Sequence, residues 1–316
     1  MWKRNQWTSL VHQWGGLDDL NNYNNFPTLG VTEHDNSTKL YASDLPDFVY
    51  CKRLFFIKKT MDIPRVETSP MLWGTIEHEI RRSLARAIRP EYESCNDIES
   101  LQNLNYQSAI DGALDYGMEL GRTVKPQYYL RLEEIQPHLR YRLQIEEKQR
   151  REKAVKMARK GMKFERIFDE LLPWKFEIGV GSRELGITGR IDQVFKINTS
   201  LIPLDFKTHR NRIAALIFKE SHFEQLAVYT LLLEQKYPEY SANMGIIKYT
   251  EDLHDEKFTI TTKAKKNVIE HIKQTRELIQ INELPPKLSG EQSIKCESCY
   301  LKNFCFGLEK SEITKC

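Results

Sequence analysis

The sequence holds no apolar run approaching the ~20 residues needed to span a bilayer, so no membrane partner is expected. It opens without the charged-then-apolar pattern of a secretory signal, and a reducing, cytoplasmic setting is the expectation. No internal repeat is visible, which excludes a solenoid or repeat array. A large charge is lacking too: the formal net charge is only +3, so steering by the whole-protein field is expected to be modest. What remains is 316 residues, 40% hydrophobic and 10% aromatic, enough for a sizeable core in one large domain or one domain with an insertion. Residues 1–39, with Asn22-Tyr23-Asn24-Asn25, read as a polar leader. A single domain is expected over 40–306, with a helical insertion at about 91–172, and 307–316 as a tail.

The densest chemistry lies in Gly189-Arg190-Ile191-Asp192, followed thirteen residues past that aspartate by Asp205-Phe206-Lys207. Ile187 and Ile191, then Leu201 and Ile202, are strand-type residues flanking a turn-like Asn198-Thr199-Ser200. A turn centred between Asn198 and Thr199 sets Asp192 directly opposite Asp205. Lys207, two residues on, projects from the same face, while Leu204 and Phe206 turn towards a core. Two carboxylates converging with a lysine suit a divalent metal and a phosphate: the carboxylates hold Mg²⁺ or Mn²⁺, and the ammonium offsets developing charge or orients a water. The bland alternative is a hairpin with a cross-strand Asp–Lys pair on a solvated face.

A second constellation is Cys296-x2-Cys299-x5-Cys305, just after Pro285-Pro286, with Cys51 far upstream. Four thiolates make a closed set for an iron–sulfur cluster or a zinc. Spacing alone leaves the fourth ligand open, because Cys95 and Cys316 also exist.

Taken in order, Cys51, Gly74-Thr75-Ile76-Glu77-His78-Glu79, Gly189-Arg190-Ile191-Asp192, Asp205-Phe206-Lys207, Gln225-Leu226-Ala227-Val228-Tyr229, Cys296, Cys299 and Cys305 resemble the RecB-like branch of the PD-(D/E)XK nucleases. The cysteine arrangement is similar to its iron–sulfur members, the CRISPR-associated fourth Cas family and the exonuclease V family. The resemblance runs from about Leu40 to Phe306, although no motif matches between Arg81 and Glu165. It implies an α/β, restriction-endonuclease-like mixed sheet flanked by helices, with a helical subdomain and a C-terminal four-cysteine iron–sulfur site. It further implies a metal-dependent exonuclease on single-stranded DNA or DNA ends, with repair or CRISPR adaptation proteins, or a second copy of the chain, as partners.

Position by position, the resemblance implies that His78, Asp192, Asp205 and the backbone carbonyl of Phe206 bind Mg²⁺ or Mn²⁺, and that Lys207 positions or activates the attacking water. Gln225 and Tyr229, at i and i+4 on one helix face, match an element that lies beside the DNA strand. Cys51, Cys296, Cys299 and Cys305 would hold a [4Fe–4S] cluster. Asp205 stands where many members have glutamate, and its shorter reach is expected to alter metal spacing. Read without the family, His78 is a helix-surface or satisfied core histidine and Tyr229 an amphipathic rim residue. Glu177, opening the strand before the hairpin, reads as structural, at the edge of the site.

Nine basic residues lie between Lys148 and Arg166, Lys156, Arg159 and Lys163 among them, largely on one expected long helix. Glu146, Glu147 and Glu152 are interleaved, so the helix reads either as a solvated charged face or as a track for a DNA backbone. Helices are expected from Tyr41 with Asp44 as N-cap, over Met71–Ile88, over Phe218–Gln235, and over Lys263–Ile281 with Thr262 as cap. Strands are expected at Phe176–Val180, Ile187–Lys196, Leu201–Lys207, Met244–Tyr249 and Lys257–Thr261.

Overall fold

The computed structural model describes residues 39–61, 69–124, 129–210, 213 and 216–313. The expected leader lies outside the described residues except for Lys39, as do positions 314–316 of the expected tail. Alternating apolar residues drive a meander of β2 (Lys175–Ser182), β3 (Ile187–Ile197) and β4 (Ser200–Lys207), each antiparallel to its neighbour. β5 (Met244–Tyr249) adds to β4 in parallel, and β6 (His254–Thr259) closes that edge antiparallel to β5. The short β1 (Leu40–Tyr41) runs parallel to β3, completing a six-stranded mixed sheet flanked by helices in a mixed α/β fold. β4 is buried from Leu201 to Phe206, as a strand covered on both faces must be.

Gly189 is required where β1 and β3 meet. A Cβ there would sit 2.6 Å from the Cβ of Ala42 and 3.4 Å from Cε1 of Tyr229, so any side chain would push the strands apart.

Helices α1 (Asp44–Tyr50), α8 (Lys219–Lys236) and α9 (Thr262–Ile281) pack on the sheet through a core that includes Leu45, Phe48, Ile191, Val194, Leu226, Leu233, Val268 and Ile272. A second core, built on Ile76, Ile80, Ile88, Tyr92, Leu114, Leu139 and Ile167, joins α3 (Ser69–Glu93), α5 (Gln107–Val124), α6 (Tyr129–Arg159) and α7 (Phe164–Leu171), with α4 (Ile98–Gln102) contributing Leu101. A third, small core surrounds Tyr50, Leu54, Ile57 and Leu301, where α2 (Lys52–Thr60) meets the chain between α10 (Ile294–Glu297) and α11 (Lys302–Ile313). No helix among the described residues is long and apolar enough to cross a membrane.

Several boundaries differ from the sequence reading for local reasons. Asp44 is the first residue of α1 rather than its cap: its carboxylate accepts the backbone N–H of Tyr41 at 2.7 Å and pairs with Lys59 at 2.6 Å. The cap of α9 is Thr261, whose side chain accepts the N–H of Ala264 at 3.2 Å; Thr262 already lies inside the helix. β6 starts at His254, three residues early, because the partner strand β5 supplies a ladder for the polar stretch. Most of the basic run, from Lys148 to Arg159, lies on one long helix as expected, and only its last three members fall beyond it. α6 ends at Arg159, Gly161 turns the chain with φ 79°, and Arg166 belongs to α7.

Candidate functional site

The expected register is the one observed. β3–β4 pairs run from Ile197–Ser200 to Gln193–Leu204, so the next opposed residues are Asp192 and Asp205. There the ladder stops. The backbone N–H of Phe206 is held instead by the Asp192 carboxylate at 2.9 Å, and beyond this point β3 turns to β1 while β4 continues along β5. The sheet thus forks at the two aspartates, and a side chain satisfies the donor that the fork would orphan.

Four more side chains close on the fork. His78 of α3 brings Nδ1 to 3.3 Å from Asp192 Oδ2, and its ring meets Phe206 edge-on with centroids 5.8 Å apart. Lys207 Nζ lies 2.8 Å from Asp205 Oδ2 and donates to Gln225 Oε1 at 2.8 Å. Gln225 in turn donates to Asp205 Oδ1 and to the Tyr229 hydroxyl, both at 2.9 Å. His78, Asp192, Asp205, Phe206, Lys207, Gln225 and Tyr229 therefore form one continuous cluster. Glu177 stands opposite Asp192 across β2–β3, in the gap between the Phe176–Gln193 and Ile178–Ile191 pairs. It is a non-glycine residue at φ 51°, held by Arg190 at 2.7 Å, and brings a third carboxylate to the edge of the fork.

The electrostatics are those of acids crowded away from water. Burial raises the Asp205 pKa, and the charge of Asp192 raises it further against the pull of Lys207. Asp192 is buried as well, yet the His78 imidazolium holds its pKa below the usual carboxylate range. Burial opposes a charged His78, but Asp192 outweighs it and pushes the imidazole up to about 9. Burial and then Asp205 raise the Tyr229 pKa well above that of an ordinary phenol, so its hydroxyl keeps its proton. Asp205 Oδ2 receives no hydrogen bond of good geometry among the described residues, and Lys207 is the cation beside it. Two carboxylates, one of them with an unsatisfied oxygen, are donors of the kind that suits Mg²⁺ or Mn²⁺, and the imidazole adds a nitrogen.

Cys51, Cys296, Cys299 and Cys305 line a single cavity, with Tyr50, Arg53 and Lys295 among its walls. Burial, reinforced for Cys296 first by Cys51 and Cys305, raises the thiol pKa of Cys296 and Cys299. Arg53 Nε donates to the Cys305 sulfur at 3.1 Å. Cys95 lies elsewhere, in the helical core. Among the described residues, however, no group of three or more His, Cys, Asp or Glu side chains is arranged as a set of metal ligands. The cysteines share a cavity without forming a cage, and His78, Asp192 and Asp205 at the fork likewise form no ready-made ligand set as they stand.

The basic run divides by role. Arg150 pairs with buried Glu147, and half-buried Arg151 donates to the Leu104 carbonyl at 3.2 Å while also lining the cleft described next. Lys156, Arg159 and Lys160 are exposed and line a cleft with Gln102 of α4, whereas exposed Lys163 lies outside it as the residue preceding α7. Glu146 and Glu147, which read as solvating residues, are buried. Rings also stack from the cysteine cavity towards Lys207: Tyr50 on Phe218 at 5.3 Å, Phe218 on His222 at 6.0 Å, and His222 on His209 at 5.3 Å. Burial, then Lys207, lowers the His209 pKa to about 4, leaving that ring neutral at pH 7.

The sequence matches the family described as the PD-(D/E)XK nuclease superfamily over residues 40–306, and the chain belongs to that superfamily. Its members are hydrolases acting on DNA and usually use divalent metals such as Mg²⁺. Among solved structures, the chain is similar to a protein from Eubacterium rectale labelled "Putative exonuclease", at 12% identity and a TM-score of 0.41 over 87% of this chain and 93% of that one. No curated protein matches the sequence.

The His78–Asp192 pair predicts a pH signature. Because folding raises the His78 pKa from 6.5 to about 9, its stabilisation is complete below pH 6.5 and is lost as pH rises through about 9. With divalent ions chelated, the wild type should lose thermal stability across that window, and Asp192→Asn should lack this part of the slope. Parallel melting curves for the two proteins across the window would contradict the pairing.

Proposed function

We propose that this protein is a metal-dependent deoxyribonuclease that hydrolyses phosphodiester bonds, acting as an exonuclease on single-stranded DNA ends. The observation that carries the reading is the fork: two opposed aspartates and a lysine share one buried point with His78, Gln225 and Tyr229. Asp192, Asp205, His78 and the Phe206 carbonyl would hold Mg²⁺ or Mn²⁺, with His78 giving up to solvent the proton that it shares with Asp192 in the metal-free state. Such an ion, when bound, supplies a Lewis acid that polarises the phosphate and lowers the pKa of a water. Lys207, already an ion-pair partner of Asp205, orients the attacking water and offsets charge on the phosphate. Gln225 fixes Lys207 and Asp205 relative to each other, since it bonds to both. Tyr229 keeps its proton and can donate it in a hydrogen bond to a phosphate oxygen. The test is end-labelled single-stranded DNA with Mn²⁺ or Mg²⁺, wild type beside Asp205→Ala. Degradation by the wild type alone, with at least a ~100-fold loss in the variant, is expected. DNA bound but uncut by both proteins would leave a non-catalytic DNA-binding subunit as the better reading.

Lys156 and Arg159, open to solvent along the cleft beside α4, and Lys163 beyond it, are proposed contacts for the DNA backbone. Reversing all three charges should weaken DNA binding and flatten its dependence on salt. Unchanged affinity across a salt series would remove this contact from the account.

The four cysteines, which line one cavity, would supply the donor set of a [4Fe–4S] cluster tying α2 to the C-terminal turn, as in the iron–sulfur RecB-like branch that the motifs resemble. A role in DNA repair or in CRISPR spacer acquisition, with the corresponding protein partners or a second copy of the chain, follows from the same resemblance. Anaerobically purified wild type should be brown, with Cys299→Ala colourless and less soluble, because closed four-ligand sites contribute folding free energy. A colourless, zinc-loaded wild type would assign the cysteines to a structural zinc, and a soluble, fully active Cys299→Ala would make them incidental.

A further inference from the structure

The stretch between Arg81 and Glu165 matched no motif, yet it sends one buried carboxylate towards the fork. Phe206 is the residue through which this happens. Its N–H is bound by Asp192 at 2.9 Å, its ring meets His78, and the Arg81 guanidinium sits 5.0 Å from the ring centroid on another side. Arg81 is only 4% exposed. Its Nε and Nη2 reach Glu77 Oε1 at 3.0 and 2.9 Å, and its Nη1 reaches Glu146 Oε1 at 2.9 Å and Oε2 at 3.1 Å. Glu146 comes from α6, whereas Glu77 and Arg81 belong to the helix that carries His78. The same Glu146 carboxylate lies 3.3 Å from Lys248 Nζ, and Lys248 is the β5 residue in register with Phe206. Arg142, one turn before Glu146, approaches Glu77 Oε2 at 3.7 Å and donates to Glu251 at 2.6 Å.

The Glu146 carboxylate therefore bridges two cations that flank one residue, Arg81 over its ring and Lys248 on the adjacent strand. Among buried charges such a bridge has geometric consequences: each cation would otherwise move towards its remaining acid, Glu77 for Arg81 and Asp255 for Lys248. We propose that Glu146 is a positioning residue for the hydrolytic centre, fixing the Phe206 peptide and, through Arg81, the α3 turn that presents His78. Glu146, on an inserted helix, thereby contributes to the site without itself touching substrate. This inference rests on the reading of Asp192, Asp205, His78 and the Phe206 carbonyl as the metal-binding set.

The test measures Mn²⁺ affinity on folded protein by the loss of the free-ion paramagnetic resonance signal, beside a thermal melt. The proteins are the wild type, Asp205→Ala, Glu146→Gln and, as a solvent-exposed control on the same helix, Glu152→Gln. The expected result is Mn²⁺ binding by the wild type and by Glu152→Gln, its loss in Asp205→Ala, and affinity weakened about tenfold in a folded Glu146→Gln, as for partners that orient ligands without contacting the ion. On single-stranded DNA, Glu146→Gln should lower kcat at fixed Mn²⁺ and leave KM for DNA unchanged. Should Glu146→Gln not fold, Glu146→Gln with Lys248→Gln, which keeps the net charge of the cluster, takes its place with the same expectation. A folded variant with Mn²⁺ affinity within about twofold of the wild type would reduce Glu146 to a structural salt bridge and overturn the inference. A wild type that does not bind Mn²⁺ would overturn the metal reading, and the inference with it.

Discussion

The organising interaction is the bond from the Phe206 N–H to the Asp192 carboxylate. A sheet that forks exposes backbone donors at the point of divergence, and leaving one buried and unpaired costs on the order of 1–3 kcal/mol. Here a side chain takes over from the ladder, and it is the side chain that stands opposite Asp205. The carboxylate proposed to bind the metal and the structural cap of the fork are the same group. Strand β1 then occupies the space that β4 has left beside β3, which is possible only because Gly189 has no side chain to meet Ala42. The backbone arrangement and the chemistry are thus consequences of one divergence.

Three separate apolar cores hold the pieces that converge on that point. The sheet core seats β3, β4 and the Gln225–Tyr229 helix. The helical core positions α3 and hence His78, and the third core lies around the cysteines. Apolar packing of this kind is non-directional, and it leaves room for a shift of an ångström between neighbouring units. The directional contacts at the seams are polar and buried: Arg81 and Glu146 between α3 and α6, Glu146 and Lys248 between α6 and β5, Gln225 between α8 and β4. Breaking any one of them strands a charge or amide away from water, so each seam has a strong preference for one geometry.

Much of this was legible in the sequence because hairpin register follows from turn position and alternation. Placing the turn between Asn198 and Thr199 put Asp192 opposite Asp205, and the observed pairs agree. The clustering of His78 with the aspartates was legible only through the order of motifs, since nothing local distinguishes that histidine from a surface one. Glu146, Arg142 and Lys248 were not legible. In the sequence Glu146 sits in a run of Lys, Arg and Glu whose pattern fits a solvated helix, and its burial depends on which long-range partners it meets. Arg81 carried a faint signal, four residues after Glu77 on one helix face, but an i, i+4 pair of that kind is usually exposed. The break after Arg159 was also hidden, because Gly161 in a charged run is compatible with a tolerated helix glycine as well as with a turn.

The central claim is that the fork is a metal site assembled from Asp192, Asp205, His78 and the Phe206 carbonyl. Crystals soaked in Mn²⁺ and measured for anomalous scattering test it most directly. The account predicts a peak between the two aspartates, with a His78 nitrogen and the Phe206 oxygen among its ligands. A fully soaked crystal with no anomalous peak at the fork, and Lys207 still bound between Asp205 and Gln225, would contradict it.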